Sequence, residues 1–339
     1  MQNHLLQGPQ TVAIIGATGM IGHHTAVALS AMGHRVIAVH RTGSDVTRLA
    51  HLACEAREAD LAQADTLLTA LEGVDAVINC AAYYPTVPRP WREEVRLATD
   101  QMAGFYQAVK TLKINKALYL GGAIALRKHP MGLPGHETLS YAQRPPGKNA
   151  YVQVKWAMDQ QALEQARLGL PVVIGIPSMT FGEYDYGPTT GALVTEIASQ
   201  RLPAYVRGQR NVIYAGDAGR GLALALLKGR PGERYLLTGE NLTMDALVDK
   251  IATIAQVAPP RAVPLSVAKV VAKLQALRYR RFNGPIPKIS ETAIAVMSGG
   301  QFLDGSKARR ELGYTPQVKI DEALQRAFDW FVAQGMTQK

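Results

Sequence analysis

The feature that most restricts the fold is a glycine-rich turn between a short apolar strand and a helix. Residues 11–15, TVAII, predict a buried strand, and GATGMIG follows directly at 16–22. Glycines in such a turn permit a sharp bend, close approach of backbone amides to a pyrophosphate, and tight packing of helix on strand. The N-terminus of the next helix then offers free N–H groups to the phosphates. The residues expected to bind a dinucleotide here are Gly16, Thr18, Gly19, Met20, Ile21 and Gly22.

Strands and helices alternate after this turn. Further strands are predicted near residues 35–40, 54–59, 75–80, 116–120 and 171–176. Long helices are predicted over 93–113, where apolar residues recur at intervals of three and four, and over 149–168. This alternation predicts an α/β fold, a doubly wound parallel-sheet Rossmann fold with a smaller mixed α/β substrate lobe.

The domain boundaries follow from where this regularity weakens. We expect residues 1–180 to form the nucleotide-binding domain. The stretch NVIYAGD (211–217) and its following helix are predicted to return to the sheet, so that 209–230 contributes to that domain. Residues 181–208 and 231–339 are predicted to form the substrate-binding lobe.

Composition excludes several classes of protein. The chain of 339 residues is 47% hydrophobic and 19% charged, as in globular proteins. Cys54 and Cys80 form neither a disulfide framework nor a metal-ligand spacing, and the histidines are scattered. We therefore expect no metal, and a reducing, cytoplasmic setting. The N-terminus does not resemble a signal peptide, and no apolar run reaches the ~18 residues that would span a membrane.

The net charge of +10 permits anionic partners without selecting one. The densest basic cluster, Arg278, Arg280 and Arg281, follows the amphipathic stretch SVAKVVAKLQAL. A solvated helix face is favoured here over a lipid-binding surface, and no aromatic-interleaved basic stripe indicates single-stranded nucleic acid. The partner expected is a small-molecule substrate, with neither nucleic acid nor membrane.

The end of the second strand indicates the cofactor. A carboxylate there would bind ribose hydroxyls and favour NAD(H), but His40-Arg41-Thr42 contains no acid, and the first is Asp45. Arg41 at this place can hold a 2′-phosphate, which favours NADP(H), with NAD(H) as the alternative if Arg41 only faces solvent. Asp60 and Leu61 are expected near the adenine. The small residues Cys80, Ala81 and Ala82 are expected where the ribose passes.

Tyr151 and Lys155 lie four residues apart on a predicted helix, and therefore on one face. A tyrosine with a pKa near ~10 is a poor acid–base at neutral pH. A neighbouring ammonium and an oxidised nicotinamide both favour the phenolate and lower that pKa. The pair is therefore the best catalytic candidate, and Lys155 can also hold the nicotinamide ribose.

These pieces resemble the extended short-chain dehydrogenases/reductases, the NAD-dependent epimerase/dehydratase family. The resemblance rests on GATGMIG, DAVINCAA, YVQVK, IPSMTFG and DGSKARRELGY, and covers residues 11 to about 335. Within the family, 201–243 is most similar to bacterial dihydroflavonol-reductase-like proteins and hopanoid-associated sugar epimerases. The resemblance implies that Tyr151 transfers a proton with support from Lys155, and that Ile176, Pro177 and Ser178 border the nicotinamide. It also implies a homodimer formed through the helix at 93–113 and the helix that carries Tyr151.

The stretch LYLGGAIA (118–125) departs from the family pattern. Relatives end this strand in Ser or Thr, whose hydroxyl polarises the substrate carbonyl, whereas Gly121 and Gly122 stand here beside the expected nicotinamide. Loss of one such donor typically slows an enzyme about 10²–10³-fold. The replacement candidates are the backbone N–H of Gly122 or Ala123, a water, or a hydroxyl of Thr86, Thr138 or Ser178.

Three hypotheses follow. The first is an NADP(H)-dependent oxidoreductase that acts on a carbonyl or alcohol. The second is a nucleotide-diphosphate-sugar epimerase or dehydratase with tightly bound cofactor, in which Arg201, Arg207 or Arg210 contacts a diphosphate. The third, motivated by the glycine pair, is a non-catalytic NADP(H)-binding sensor.

Overall fold

A computed structural model of the chain describes residues 8–81, 83–85, 89–282 and 299–338. A seven-stranded parallel sheet forms its centre, in the order β10-β6-β5-β4-β1-β2-β3. Its strands are β1 (Thr11–Ile15), β2 (Arg35–His40), β3 (Cys54–Glu58), β4 (Ala76–Asn79), β5 (Lys116–Leu120), β6 (Val172–Pro177) and β10 (Arg234–Leu237). The chain order reverses beside β1, so neighbouring crossovers lie on opposite faces, as in a doubly wound sheet.

Helices cover both faces of the sheet. On one face lie α2 (Ala64–Ala70), α3 (Trp91–Thr111) and α4 (Ala150–Arg167), with Met102, Phe105 and Met158 in their core. On the other lie α1 (Met20–Ala31), α6 (Ala215–Lys228) and α9 (Ser306–Leu312). Strands covered on both sides are expected to be mostly apolar, and β1, β5 and β6 are buried along nearly their whole length. The structure confirms the predicted α/β class and doubly wound sheet.

A smaller lobe of mixed structure has a core of its own. It contains a three-stranded sheet in the order β11-β9-β7 and a two-stranded sheet, β12 with β8. Its strands are β7 (Met179–Phe181), β8 (Ala204–Val206), β9 (Gln209–Tyr214), β11 (Glu240–Thr243) and β12 (Arg261–Val263). Its core draws on α5 (Ala192–Ala198), α7 (Met244–Ile254) and α10 (Ile320–Ala333). The helix α8 (Leu265–Phe282) follows β12.

The prediction that residues 211–217 return to the main sheet is wrong. Residues 211–214 belong to β9, which pairs with β11 and β7 of the smaller sheet, whereas residues 215–217 begin α6, which packs on the main sheet. The seventh strand is β10, which pairs in parallel with β6. All four residues of β10 are buried, as a strand covered on both faces requires. Part of 231–339, predicted as substrate lobe, therefore belongs to the main sheet.

Candidate active site

The glycine turn joins β1 to α1 with little space for side chains. Gly16 has φ +84°, in the left-handed region, and a Cβ there would lie 3.1 Å from the Cβ of Ala81. A Cβ on Gly22 would lie only 2.2 Å from the carbonyl oxygen of Gly16. A Cβ on Gly19 would meet that oxygen at 3.5 Å, an ordinary contact. Packing therefore requires glycine at positions 16 and 22, whereas Gly19 leaves backbone open at the helix N-terminus.

The six predicted turn residues line one cavity of about 330 Å³ at the start of α1. Three further residues that no sequence motif marks also line this cavity, Arg48, Asp185 and Tyr186. The Arg48 guanidinium lies 4.1 Å from the centroid of the Tyr186 ring. Arg48 belongs to a 3₁₀ turn (Val46–Leu49), and no local pattern marks it as a cavity residue.

The residues predicted around the adenosine lie at the ends of β2, β3 and β4. Arg41 follows β2 and is exposed, and it is not one of the residues that line the cavity. The Asp60 carboxylate accepts the N–H of Ala62 at 2.9 Å, and Leu61 is buried in the core.

Cys80 lines the cavity, and burial raises the pKa of its thiol to about 12. Ala81 packs against Gly16, and its N–H donates to the side-chain oxygen of the buried Asn79, a residue for which the sequence motifs predict no role. Ala82 and Thr86 lie outside the described residues.

Tyr151 and Lys155 lie in the first two turns of α4, whose start is held by side-chain hydrogen bonds. The Asn149 side chain accepts the N–H of Val152 at 3.1 Å, and the Gln153 amide donates to the carbonyl of Pro145 at 2.9 Å. Farther along, Asp159 accepts a hydrogen bond of 3.0 Å from the buried Arg234 of β10. These contacts fix α4 against the sheet, so the two candidate side chains are placed on a rigid element.

The electrostatics of the pair reflect its burial. The Lys155 ammonium lies 5.9 Å from the centroid of the Tyr151 ring, and burial lowers the pKa of Lys155 to about 8. Burial raises the pKa of Tyr151, and the neighbouring Tyr84 adds a smaller increase. The lower pKa expected from the sequence is therefore not found in the protein alone. The neutral phenol is therefore the stable form of Tyr151, and the phenolate requires further positive charge nearby.

The two glycines after β5 differ in their surroundings. A Cβ on Gly121 would lie 3.0 Å from Cγ1 of Ile176 and 3.1 Å from Cγ2 of Ile174, so the packing of β5 on β6 favours glycine. Gly122 is extended (φ −141°), and a Cβ there would make ordinary contact at 3.7 Å with the Lys155 side chain. Neither sterics nor backbone conformation excludes a serine at position 122.

A hydroxyl does reach this region from the next strand end. Ser178 lines the same cleft of about 300 Å³ as Gly122, Tyr151 and Lys155. Its Oγ is buried and has no hydrogen-bond partner among the residues that the structure describes. The other described candidate, Thr138, is hydrogen-bonded to His136 at 3.0 Å and does not line the cleft. Pro177 also lines the cleft, whereas Ile176 is fully buried and packs toward Gly121.

The outer wall of the cleft comes from the smaller lobe. Of the three arginines considered for a diphosphate, only Arg210 lines the cleft; Arg207 is exposed and paired with Asp245, and Arg201 is exposed. Arg210 is buried, which lowers its pKa, and its guanidinium donates to the Gln209 carbonyl at 2.7 Å. Gln301 lines the cleft beside it.

The adjacent histidines of α1 have different polar partners. Nε2 of His23 lies 2.9 Å from Nε2 of His51, and its ring stacks on Tyr184, whereas His24 lies 3.8 Å from a Glu183 carboxylate oxygen. Over the described part of the chain there is no group of three or more His, Cys, Asp or Glu that could hold a metal ion. In the same part, every helix is too short or too polar to cross a membrane.

Comparison with known proteins assigns the family. The sequence model described as the NAD dependent epimerase/dehydratase family matches residues 12–237, about two thirds of the chain. The chain belongs to this family. The resemblance to the extended short-chain dehydrogenases/reductases is thereby confirmed.

Individual relatives extend the family match over the whole chain. The sterol demethylase protein B of Methylococcus capsulatus is 30% identical over 332 residues, 96% of this chain and 99% of that protein. A putative dihydroflavonol 4-reductase of Synechocystis is 28% identical over 98% of both chains. The crystal structure of a nucleoside-diphosphate-sugar epimerase from Pseudomonas aeruginosa is 45% identical, with a TM-score of 0.86, over 98% of this chain and all of that one. The protein is an enzyme of this NAD-dependent class, in which reductases, epimerases and dehydratases occur.

Proposed function

We propose that the protein is an NADP(H)-dependent oxidoreductase that interconverts a carbonyl and an alcohol on an apolar substrate, with Tyr151 as the acid/base. The observation that carries this proposal is the continuity of two cavities. The cavity at the glycine turn and the cleft at Tyr151 share Met20, Ile21 and Thr189 as walls. A dinucleotide could therefore extend from the start of α1 to the ends of β5 and β6.

The residues present fit such a cofactor. The turn at 16–22 would hold the pyrophosphate, since Gly19 leaves the backbone open and residues 20–23 of α1 carry no acid to repel phosphate. Lys155, Pro177 and Ser178, with Gly121 and Gly122, would hold the nicotinamide end. The cofactor supplies or accepts the hydride.

The preference for NADP(H) rests on charge after β2. Arg41 follows the strand and Arg48 lines the cavity, which offers two guanidinium groups on one segment. The first acid, Asp45, is occupied as the cap of the 3₁₀ turn, where it accepts the N–H of Thr47 at 3.1 Å. The expected result is tighter binding of NADPH than of NADH, measured by calorimetry, with the difference reduced in Arg48→Ala and Arg41→Ala. Equal binding of both cofactors would favour NAD(H).

Proton transfer would use Tyr151 in its neutral form. Burial keeps the phenol protonated, which suits a group that must donate to a carbonyl oxygen as it becomes an alcohol. The Lys155 ammonium would stabilise the phenolate left behind, at a site where low dielectric strengthens the attraction. The unpaired Ser178 hydroxyl would donate a hydrogen bond to the same carbonyl oxygen, the role that Gly122 cannot perform.

An apolar substrate is supported by the walls of the cleft beyond these groups. Leu120, Ile124, Met179 and Leu303 line it, with Arg210 and Gln301 at the outer wall. One relative is named as a putative dihydroflavonol 4-reductase, and another, a sterol demethylase protein, is named for an apolar ring compound.

Tyr151→Phe tests the proposal. In an NADPH oxidation assay with a panel of apolar ketones, the variant is expected to lose about 10³-fold or more in kcat, since it removes the acid/base. Its affinity for NADPH should remain within about threefold, since the loss of one hydroxyl leaves the pyrophosphate turn intact. If the wild-type protein and Gly122→Ser both bind NADPH, and neither oxidises it when any ketone of the panel is added, the sensor hypothesis would be favoured.

A nucleotide-diphosphate-sugar epimerase or dehydratase is the second candidate, favoured by Arg210 in the cleft and by the 45% identical epimerase structure. Such an enzyme would keep its cofactor through purification and bind a UDP- or GDP-sugar. Calorimetry with these sugars, repeated on Arg210→Gln, would separate the candidates. Binding that the variant loses supports the epimerase, and the absence of binding supports the oxidoreductase.

We also propose a homodimer formed through α3 and α4, and a cytoplasmic location suited to the free Cys54 and Cys80. Light scattering after size exclusion would measure the mass in solution.

A further inference from the structure

The helix α8 presents an apolar stripe to solvent. Five of the twelve large hydrophobic side chains that are exposed in the described part of the chain lie on it. They are Val267 (46% exposed), Val270 (57%), Val271 (36%), Leu274 (61%) and Leu277 (53%). Scattered single exposed apolar residues are ordinary on protein surfaces, but a contiguous row of five indicates an interaction surface.

The spacing of these residues places them together. With about 100° of rotation per residue, they occupy an arc of about 120° on one side of the helix. Ala268 and Ala272 lie outside that arc and are buried, so the protein itself packs on a different side of α8. The exposed stripe is therefore separate from the side through which α8 packs on the rest of the protein.

The charges of α8 are all of one sign. Its sequence, LSVAKVVAKLQALRYRRF, contains five basic residues and no acidic one. Lys273 is exposed about 40° beyond one edge of the arc, and Arg278 and Arg281 are exposed within the arc at the C-terminal end of the helix. Apolar side chains flanked by lysine and arginine match a surface with hydrocarbon below and anionic phosphates above.

We propose that α8 docks this enzyme on the surface of a membrane that contains anionic phospholipids. The stripe of five apolar side chains enters the boundary between headgroups and acyl chains, while Lys273, Arg278 and Arg281 contact lipid phosphates. The helix lies in the plane of the surface and does not span the bilayer. This replaces the expectation from sequence of a solvated helix face, because exposure of the stripe becomes visible only in the folded chain. It does not depend on which reaction the enzyme performs.

A second copy of this chain fits the stripe less well. Two α8 helices facing each other would bring four or more cations on each side together, with no acid on either helix to compensate. Like charges brought together in this way repel, whereas an anionic bilayer attracts them.

Vesicle flotation of the full-length protein tests the proposal. The expected result is binding to vesicles of phosphatidylcholine mixed with phosphatidylglycerol, weak binding to phosphatidylcholine alone, and release by high salt, because surface charges are screened. Lys273→Gln/Arg278→Gln should weaken binding by about 30-fold, since each basic residue near an anionic surface contributes about fivefold. Val270→Ser/Leu274→Ser should weaken it on the order of 100-fold, because two apolar side chains are lost from the hydrocarbon boundary.

Matched pairs elsewhere serve as controls. Lys110→Gln/Lys319→Gln removes the same charge from exposed positions outside α8, and Leu133→Ser/Leu168→Ser removes two leucines of comparable exposure. Both should bind as the wild type does. The proposal is overturned if anionic vesicles are not bound at low salt, or if the α8 variants bind as well as the controls. It is also overturned if Val270→Ser/Leu274→Ser converts a dimer to a monomer by light scattering and the dimer does not bind vesicles.

Discussion

Glycines stand at the ends of both β1 and β5, and the two sites have different causes. In the turn after β1 and the first turn of α1, a Cβ on Gly16 or Gly22 would meet backbone or a neighbouring Cβ at 2.2–3.1 Å, so packing favours glycine at both positions. At the end of β5, Gly121 is limited by two isoleucine side chains, and Gly122 has space for a Cβ and an ordinary extended backbone. The first site is glycine because of packing. At position 122 packing does not require glycine, and the consequence of having glycine there is the loss of the hydroxyl that the family pattern has.

The largest expected effect separates positions within the glycine turn. Gly22→Ala should lower the free energy of unfolding by about 3 kcal/mol, the upper part of the range for overpacking, because the carbonyl of Gly16 cannot move without disrupting the turn. It should also abolish NADPH binding. Gly19→Ala, where the new Cβ has 3.5 Å of space, should change stability by less than about 1 kcal/mol. Urea unfolding measures both, and equal losses would contradict the distinction between these glycines.

The next effect concerns the Ser178 hydroxyl, which is proposed to replace the hydroxyl that Gly122 lacks. Ser178→Ala should reduce kcat about 10²-fold, as loss of a donor at a reacting oxygen does. Stability should not fall, because the Oγ of Ser178 has no partner among the described residues and its removal leaves no group unsatisfied. The double variant Gly122→Ser/Ser178→Ala should recover part of the activity in steady-state assays. An unchanged kcat in Ser178→Ala would mean that another donor acts.

A smaller effect distinguishes the two glycines after β5. Gly121→Ala should destabilise the protein by about 1–2 kcal/mol, because Ile174 and Ile176 must shift by a few tenths of an ångström to admit the methyl group. Gly122→Ala should remain within about 0.5 kcal/mol of the wild type. Thermal unfolding of the two variants side by side measures the difference. If Gly122→Ala were the more destabilising, the space seen beside Lys155 would not exist in solution.

The last prediction uses the pKa of Lys155. Reduction should lose rate as pH rises through about 8, where Lys155 loses the charge that stabilises the phenolate. Stability should change in the opposite direction. Because the folded pKa lies below the unfolded value of 10.5, the unfolded chain binds more protons between about pH 8 and 10.5, and unfolding becomes harder as pH increases through that window.

The control is Lys155→Met, which should remove the pH dependence of the rate and reduce the pH dependence of stability. Lys116 also has a pKa lowered to about 8 by burial, so the stability contribution of Lys155 is the difference between wild type and variant. A rate that stays flat to pH 10 in the wild type would contradict the role of the lysine charge.

Local patterns were sufficient for much of the main sheet. The strand at 11–15, the glycine turn and the spacing of Tyr151 and Lys155 are consequences of neighbouring residues, and the structure has each where the pattern indicated. For residues 211–214 the pattern predicts a strand of the wrong sheet, because an apolar pattern suits either sheet and strand pairing is a long-range property. The family resemblance, which rests on the same local motifs, is confirmed.

The sequence alone therefore determined the fold class, the glycine turn and the family, since periodicity, turn chemistry and helix spacing act over a few residues. The tertiary structure decided which groups share a cleft. Arg48, Ser178 and Arg210 come from a 3₁₀ turn, a strand end and the smaller lobe, and only folding brings the last two to one cleft beside Tyr151. The structure also decided which glycine is required by packing and which side of α8 remains exposed, because both depend on what the rest of the chain places nearby.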